Sequence, residues 1–236
     1  MITTAIVIAG GRGSRLAPIT DYIPKAMVSV NKKPIIERII KWLSQNGIKK
    51  VVMGVAHKKE MLIDYLGDGK RFGLDIIYSH HSEFEETAHA FKEAIKNGQI
   101  KDEHFFAMNG DQLTDLNLQE LEKYHLQHGA HATLVVLPTK FPYGLIQTHP
   151  DFTIHSFLYK PLLKEILMNA GIFVFSQKIV PLILATTKGT IDNEVFAPLA
   201  KQGKLKAYYY EGFFSTVNTP HDLDEAEKVL KEREGG

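Results

Sequence analysis

The stretch from Ala9 to Lys25, AGGRGSRLAPITDYIPK, carries the residue types best suited to chemistry. A short β-branched run, Thr4 to Ala9, enters a turn with Gly10, Gly11 and Gly13, followed by Ser14, Arg15 and Leu16. Glycines let a backbone fold tightly and aim its N–H groups at an anion. Arg15 adds a planar fork that matches phosphate oxygens, and Lys25 adds a point charge from the end of the loop. Two other glycine loops fail on spacing. A P-loop needs Lys after its last glycine, and none stands there. A dinucleotide fingerprint needs a third glycine where this chain has Leu16. The pattern at Ala9, Gly10, Gly11, Gly13 and Ser14 reads as an anion cradle of another kind, the plainer alternative being a glycine-rich turn with no ligand.

A second candidate is Asp111, which follows the hydrophobic run His104 to Met108 through Asn109 and Gly110. A side chain at the C-terminal end of a strand in an α/β sheet faces the ligand crevice. Mg²⁺ takes one or two carboxylates together with phosphate oxygens and water. Capping of the turn after Gly110 is the plainer role for the same residue. Asp115 is expected to be the N-cap of the helix that follows. His57, His89 and the other histidines show no metal-ligand spacing, and they read as structural or surface residues.

GGRGSRL, then P-x-T, then PKAMVSVNKKPIIERII, resembles the signature of the sugar-1-phosphate nucleotidyltransferases. YLGDGKRFGLDIIYS, MNGDQLTDLNL, HGAHATLVV, FPYGLIQ and NAGIFVF follow in the family's order, so the resemblance spans nearly the whole chain. It is nearest to mannose-1-phosphate guanylyltransferase-like and N-acetylmuramate-1-phosphate uridylyltransferase-like members. The resemblance implies a Rossmann-like α/β fold and transfer of NMP from an NTP to a sugar 1-phosphate, with release of pyrophosphate. It implies Arg15, Lys25 and Asp111 as catalytic residues and Asp111 as the ligand of Mg²⁺. Tyr159-Lys160-Pro161 stands at the E-K-P motif, so Lys160 is expected on the acceptor phosphate, and Tyr159 replaces a Glu that holds sugar hydroxyls. Gly144 and Asn169 match acceptor-contacting positions.

On the nucleoside side the chain reads HHSEFEETAHA, and Glu86-Thr87 resembles the L-E-T variant of the uridylyltransferases. Glu86 or His81 could read a base edge. The same residues also fit an exposed polar segment ahead of a helix, so the base stays open. FFSTVNTP puts Thr216 where the family has a second metal aspartate, and Asn218 where it has glycine. Either Asp111 holds the metal with substrate oxygens and water alone, or Asp192 or Asp222 completes the site. These departures keep two alternatives in view. One is a cytidylyltransferase for a non-sugar acceptor such as phosphocholine; the other is a non-catalytic, regulatory nucleotide-sugar-binding protein.

The elements that must position these residues alternate through the first half. Helical periods cover Pro34 to Asn46, Lys59 to Leu66 and Thr87 to Lys96, between strand-like runs at Lys50 to Ala56, Asp75 to Ser79 and His104 to Met108. Repeated βα units predict a mainly parallel, mixed sheet with helices on both faces. Strands are expected at Ala132 to Pro138, Tyr143 to Thr148, Thr153 to Leu158 and Ala170 to Ser176, and helices at Asn193 to Gln202 and Asp222 to Glu232. The chain reads as one domain over 1–236, with a nucleotide-binding half (1–130) and an acceptor-binding half (131–236).

Composition narrows the class. With 44% apolar and 23% charged residues, the 236-residue chain is an ordinary globular one. A net charge of +1 offers no field for nucleic acid or an anionic membrane. The absence of cysteine excludes disulfides, thiolate metal sites and a cysteine nucleophile. The N-terminus lacks the basic start of a signal peptide, and no apolar run approaches the ~20 residues of a membrane span. A cytoplasmic protein is expected, with an NTP and a phosphorylated small molecule as partners. No feature bears on oligomeric state.

Overall fold

The computed structural model describes residues 1–235. The strands are β1 (Thr4–Ile8), β2 (Ser29–Val30), β3 (Lys33–Pro34), β4 (Lys50–Val55), β5 (Asp75–His80), β6 (His104–Asn109), β7 (Gln112–Thr114), β8 (Ala132–Lys140), β9 (Gly144–Thr148), β10 (Ile154–Tyr159), β11 (Leu162–Ser176), β12 (Leu205–Tyr209) and β13 (Phe214–Thr216). The helices are α1 (Ile35–Gln45), α2 (Lys59–Leu66), α3 (Thr87–Gly98), α4 (Leu118–His128), α5 (Val180–Ala185), α6 (Ala197–Lys201) and α7 (Pro220–Glu234).

Seven strands form the central sheet in the order β12-β8-β11-β6-β1-β4-β5. All neighbours in it run parallel except β11, which is antiparallel to both β6 and β8. The mixed, mainly parallel sheet is the architecture that the βα alternation predicts. Its central strands are buried on both faces, which is why TAIVI and KVVMGV are nearly continuous apolar runs. Along β1 the side chains alternate between two cores. Ala5 and Val7 pack with Ile36, Ile39, Ile40 and Leu43 of α1, whereas Ile6 packs with Phe91 and Ile95 of α3 and with Phe105, Phe173 and Phe175. Each fully buried Val, Ile, Leu or Phe side chain among them contributes ~1.5–3 kcal/mol of hydrophobic stabilisation.

The two central parallel strands, β1 and β6, end side by side. Gly110 N donates to Ile8 O at 2.7 Å, which sets the turn carrying Asp111 against the start of the glycine loop. The small β7–β13 ladder pairs Gln112 with Thr216 and brings the chain after Thr216 back to Asp111. β9 and β10 form a separate antiparallel hairpin.

Among the departures from expectation are β11, β12 and Asp115. β11 begins at Leu162, well before Ala170, because its first half pairs with the end of β8. β12 was not anticipated: it is an edge strand, mostly exposed, and LKAYY has no clear apolar alternation. Asp115 is not an N-cap. Asn117 caps α4, accepting from Gln119 N at 2.9 Å and Glu120 N at 3.2 Å. Asp115 instead accepts from Phe213 N at 3.0 Å, from the Tyr210 hydroxyl and from the Arg233 guanidinium. Its tertiary partners outcompete the local helix end.

Candidate functional site

The glycine loop turns on Gly13, which adopts φ +65° and whose missing Cβ leaves room for Lys25 Cβ, 2.9 Å from where it would lie. Only glycine takes this backbone without strain. Thr20 Oγ1 donates to Gly13 O at 2.9 Å, and buried Leu16 anchors the short helical turn Ser14–Leu16. The loop is thereby held open toward solvent, with Gly11, Ser14 and Arg15 exposed.

A cleft of about 360 Å³ lies over the ends of β1 and β6. It is lined by Ala9, Gly10, Gly11, Gly13, Ser14, Arg15 and Lys25 on the loop side. His81, Glu83, Glu85 and Thr87 line the far side, and Asp111 and Asn218 line the floor. Ten of the residues singled out from the sequence thus share one cavity; Glu86 lies outside it, exposed at the start of α3.

The charged groups converge. Lys25 Nζ donates to Asp111 Oδ2 at 2.5 Å and to Asn218 Oδ1 at 2.6 Å. Arg15 Nη2 donates to the same Asn218 Oδ1 at 3.1 Å. Asp111 Oδ1 is buried and has no hydrogen-bond partner. On this side of the cleft two cations stand against one carboxylate, which suits a polyanion, while Glu83 and Glu85 lie on the far side.

His81 closes the other end. Its Nδ1 lies 3.0 Å from Ser82 O, and because a carbonyl only accepts, Nδ1 carries the proton. Nε2 is left as a buried acceptor without a partner. Burial pushes the pKa of this ring down, so the imidazole is neutral at pH 7. Thr87 Oγ1 accepts from Ile191 N at 3.1 Å, tying α3 to the segment after α5. Glu83 is paired with His57 at 2.6 Å, and Glu85 accepts from Ser82 N at 2.9 Å. Neither glutamate was singled out from the sequence, although both follow the C-terminal end of β5, where a crevice residue is expected.

The residues expected on the acceptor side lie outside this cleft. Gly144, on β9, packs so close to Phe157 that a Cβ would sit 2.8 Å from its ring. Tyr159 is 74% exposed, and the Lys160 ammonium stands 5.4 Å from the centre of its ring. Asn169 Nδ2 donates to Asp192 Oδ1 at 3.0 Å, and its Oδ1 accepts from Gly171 N at 2.9 Å.

Asp192 is therefore engaged with Asn169. Asp222 Oδ2 accepts from Asn218 N at 3.0 Å and Thr219 N at 2.9 Å in the capping box of α7. Neither lines the cleft. Thr216 Oγ1 accepts from Asn218 Nδ2 at 2.8 Å. Among the described residues no three His, Cys, Asp or Glu side chains gather as a metal cluster.

The model of the nucleotidyl transferase family matches residues 4–228. A mannose-1-phosphate guanylyltransferase catalytic subunit beta of Danio rerio is 31% identical over 93% of this chain and 62% of its own length. A UTP–glucose-1-phosphate uridylyltransferase of Synechocystis sp. is 30% identical over 84% of this chain and 55% of its own. The chain thus spans less than two thirds of the length of the curated relatives it matches. Among solved structures, a UDP-glucose pyrophosphorylase complexed with UDP-glucose superposes with a TM-score of 0.75 at 19% identity, covering 99% of this chain and all of that one. HddC from Yersinia pseudotuberculosis, complexed with GMP-PN, gives 0.73 at 23% identity, covering 98% and 100%.

Proposed function

The chain belongs to the nucleotidyl transferase family, and from that premise we propose that it joins NMP from an NTP to a sugar 1-phosphate and releases pyrophosphate. The observation that carries this reading is the convergence of Arg15, Lys25 and Asp111 on one cleft beneath a glycine loop. The guanylyl- and uridylyltransferase relatives support it.

The reaction is an in-line displacement. An acceptor phosphate oxygen attacks the α-phosphorus, the bond to the bridging oxygen breaks, and pyrophosphate carries away the electron pair. A phosphate oxygen is a nucleophile at neutral pH, so the protein's task is to position two polyanions and offset their charge. The backbone of Gly10 to Ser14 cradles the triphosphate, Arg15 holds its outer phosphates, and Lys25 offsets the charge that builds at the α-phosphate. His81 and Thr87 form the nucleoside side within the cleft, with Glu86 exposed beside Thr87; Lys160, Tyr159, Gly144 and Asn169 form the acceptor side. The halves 1–130 and 131–236 divide the work accordingly.

Asp111 fits a divalent cation, Mg²⁺, because its buried Oδ1 has no partner and its Oδ2 faces a cation already. When bound there, Mg²⁺ supplies positive charge to the phosphate oxygens. We place the reaction in the cytoplasm, with neither nucleic acid nor membrane as partner. Among the described residues no helix is long and apolar enough to cross a membrane.

One observation favours a second acceptor class. Tyr143 and Tyr159 are 72% and 74% exposed, and the Tyr159 ring already receives an ammonium group. Aromatic faces of this kind take quaternary ammonium groups such as that of phosphocholine. A screen of NTPs against sugar 1-phosphates and phosphocholine, with Mg²⁺ and a pyrophosphate readout, tests both. Turnover with a sugar 1-phosphate supports the first reading, and turnover only with CTP and phosphocholine replaces it with the second. Nucleotide binding without pyrophosphate release from any pair makes the chain a non-catalytic binding protein.

A further inference from the structure

β8 and β11 run on past the central sheet as a two-stranded arm. Leu162 pairs with Lys140, Phe141 N donates to Pro161 O at 2.9 Å, and Lys160 N donates to Tyr143 O at 3.1 Å. The ladder continues into β9 and β10, which among the described residues pair only with each other. β6 meets β11 only from Ile172 onward, and β12 meets β8 only as far as Val136. Both edges of the arm are therefore free.

A two-stranded ladder is marginal in water by itself, and this one is apolar. Half of the large apolar side chains that the described residues expose lie between Tyr143 and Met168. Scattered singly they would need no explanation; gathered so, they mark a contact surface. Phe157 and Tyr159 share one side of β10, and Ile146 stands opposite Phe157 in the ladder. Leu158, opposite Leu145, takes the other side. None of these side chains joins either core.

Area, charge and strand edge point to a second copy as the occupant. A buried aromatic side chain hides ~150–250 Å², so Tyr143, Phe152, Phe157 and Tyr159, 61–85% exposed, present on the order of 500 Å². Ile146, Ile154, Leu162 and Ile166 add enough to reach the ~800 Å² per partner of a stable interface. The charged residues of the stretch are Asp151, Lys160, Lys164 and Glu165, which cancel. A neutral patch does not repel its own copy and offers no field to a charged partner. A free strand edge is a template for pairing, and an identical edge across a twofold axis satisfies both at once.

We propose that two copies of this chain associate through their arms about a twofold axis, burying the face formed by Ile146, Phe157 and Tyr159. The arm also carries Lys160, so association fixes the wall expected to hold the acceptor. That consequence rests on the proposed function; the association itself does not.

Sedimentation velocity at micromolar concentration tests it without nucleotide or turnover. Wild type should sediment as a dimer, and raising salt from about 0.1 to about 1 M should leave it intact, because the contact is apolar. Ile146→Asp and Phe157→Asp should each weaken it by about 100-fold or more, since each sets a carboxylate in an apolar contact. Circular dichroism checks that both are folded, and two separate positions keep the test decisive if one is not. Leu126→Asp, at an exposed apolar position on α4, should leave the dimer unchanged. A wild type that stays monomeric at about 100 µM, a dimer that survives both arm substitutions, or one that Leu126→Asp dissolves equally overturns the proposal. A pyrophosphate screen that finds no turnover, beside a dimer that Ile146→Asp dissolves, removes the transferase reading and leaves the interface standing.

Discussion

The imidazole of His81 occupies the space that a side chain on Gly10 would need. A Cβ at Gly10 would fall 2.5 Å from both Cε1 and Nε2 of the ring and 2.9 Å from Ala56 Cβ. Gly10 is required here for close approach. Gly10→Ala must push the ring out of its place at the end of the cleft, at a cost of ~1–3 kcal/mol in stability. If the ring and loop hold the nucleotide, KM for the NTP should rise by about tenfold, a loss of ~1.4 kcal/mol of binding. Steady-state kinetics beside a thermal melt checks both; a lower Tm with unchanged KM separates the ring from nucleotide binding.

Lys25→Ala should lower kcat by about 10²-fold, because it removes a charge aimed at the developing transition state. KM for the acceptor should change little if the glycine-loop side of the cleft, which Lys25 lines, holds the nucleotide. A folded variant with near wild-type kcat would show that Lys25 only pairs with Asp111.

Asp111→Asn should remove Mg²⁺-dependent turnover. The amide has the same shape but is a weaker, neutral ligand. The fold should survive, because the side chain lies at the cleft surface and is still 22% exposed. Rates measured across a Mg²⁺ titration decide the matter: an unchanged curve places the metal elsewhere.

His125 should make stability depend on pH. It is fully buried, with Nδ1 2.8 Å from Thr133 Oγ1 and Nε2 3.0 Å from His104 Nδ1. Burial first, and His104 second, bring its pKa down from 6.5 to about 4. Between those values the unfolded chain binds a proton that the native protein does not, so stability rises with pH across this window. The contribution is whole above about pH 6.5, lost as pH falls toward 4, and at most ~3 kcal/mol. Urea denaturation at pH 7 and pH 5 should show a large difference in wild type and a smaller one in His125→Gln. Equal differences in the two proteins would assign the effect to other groups.

What the sequence by itself determined is what lies close along the chain. The turn from Ala9 to Lys25 is contiguous, so its glycines, Arg15 and Lys25 read as one group without any knowledge of the fold. The apolar period of α1 and the buried runs of β1 and β4 are likewise local, because helix and central-strand burial repeat every few residues. β12 was illegible for the converse reason. An exposed edge strand needs no apolar pattern, and only its pairing with β8 defines it.

The tertiary structure alone decided which distant residues meet. Asp115 stands where a helix cap is expected, yet its partners are Tyr210, Phe213 and Arg233, 95 to 118 positions away. Asn218 looks like a lost glycine in the sequence, but the β7–β13 ladder sets it against Lys25 and Arg15. A hydrogen bond acts only over ~3 Å, whereas the chain separating these partners would span hundreds of ångströms if extended. No local pattern encodes such a meeting; it exists only once the sheet has formed.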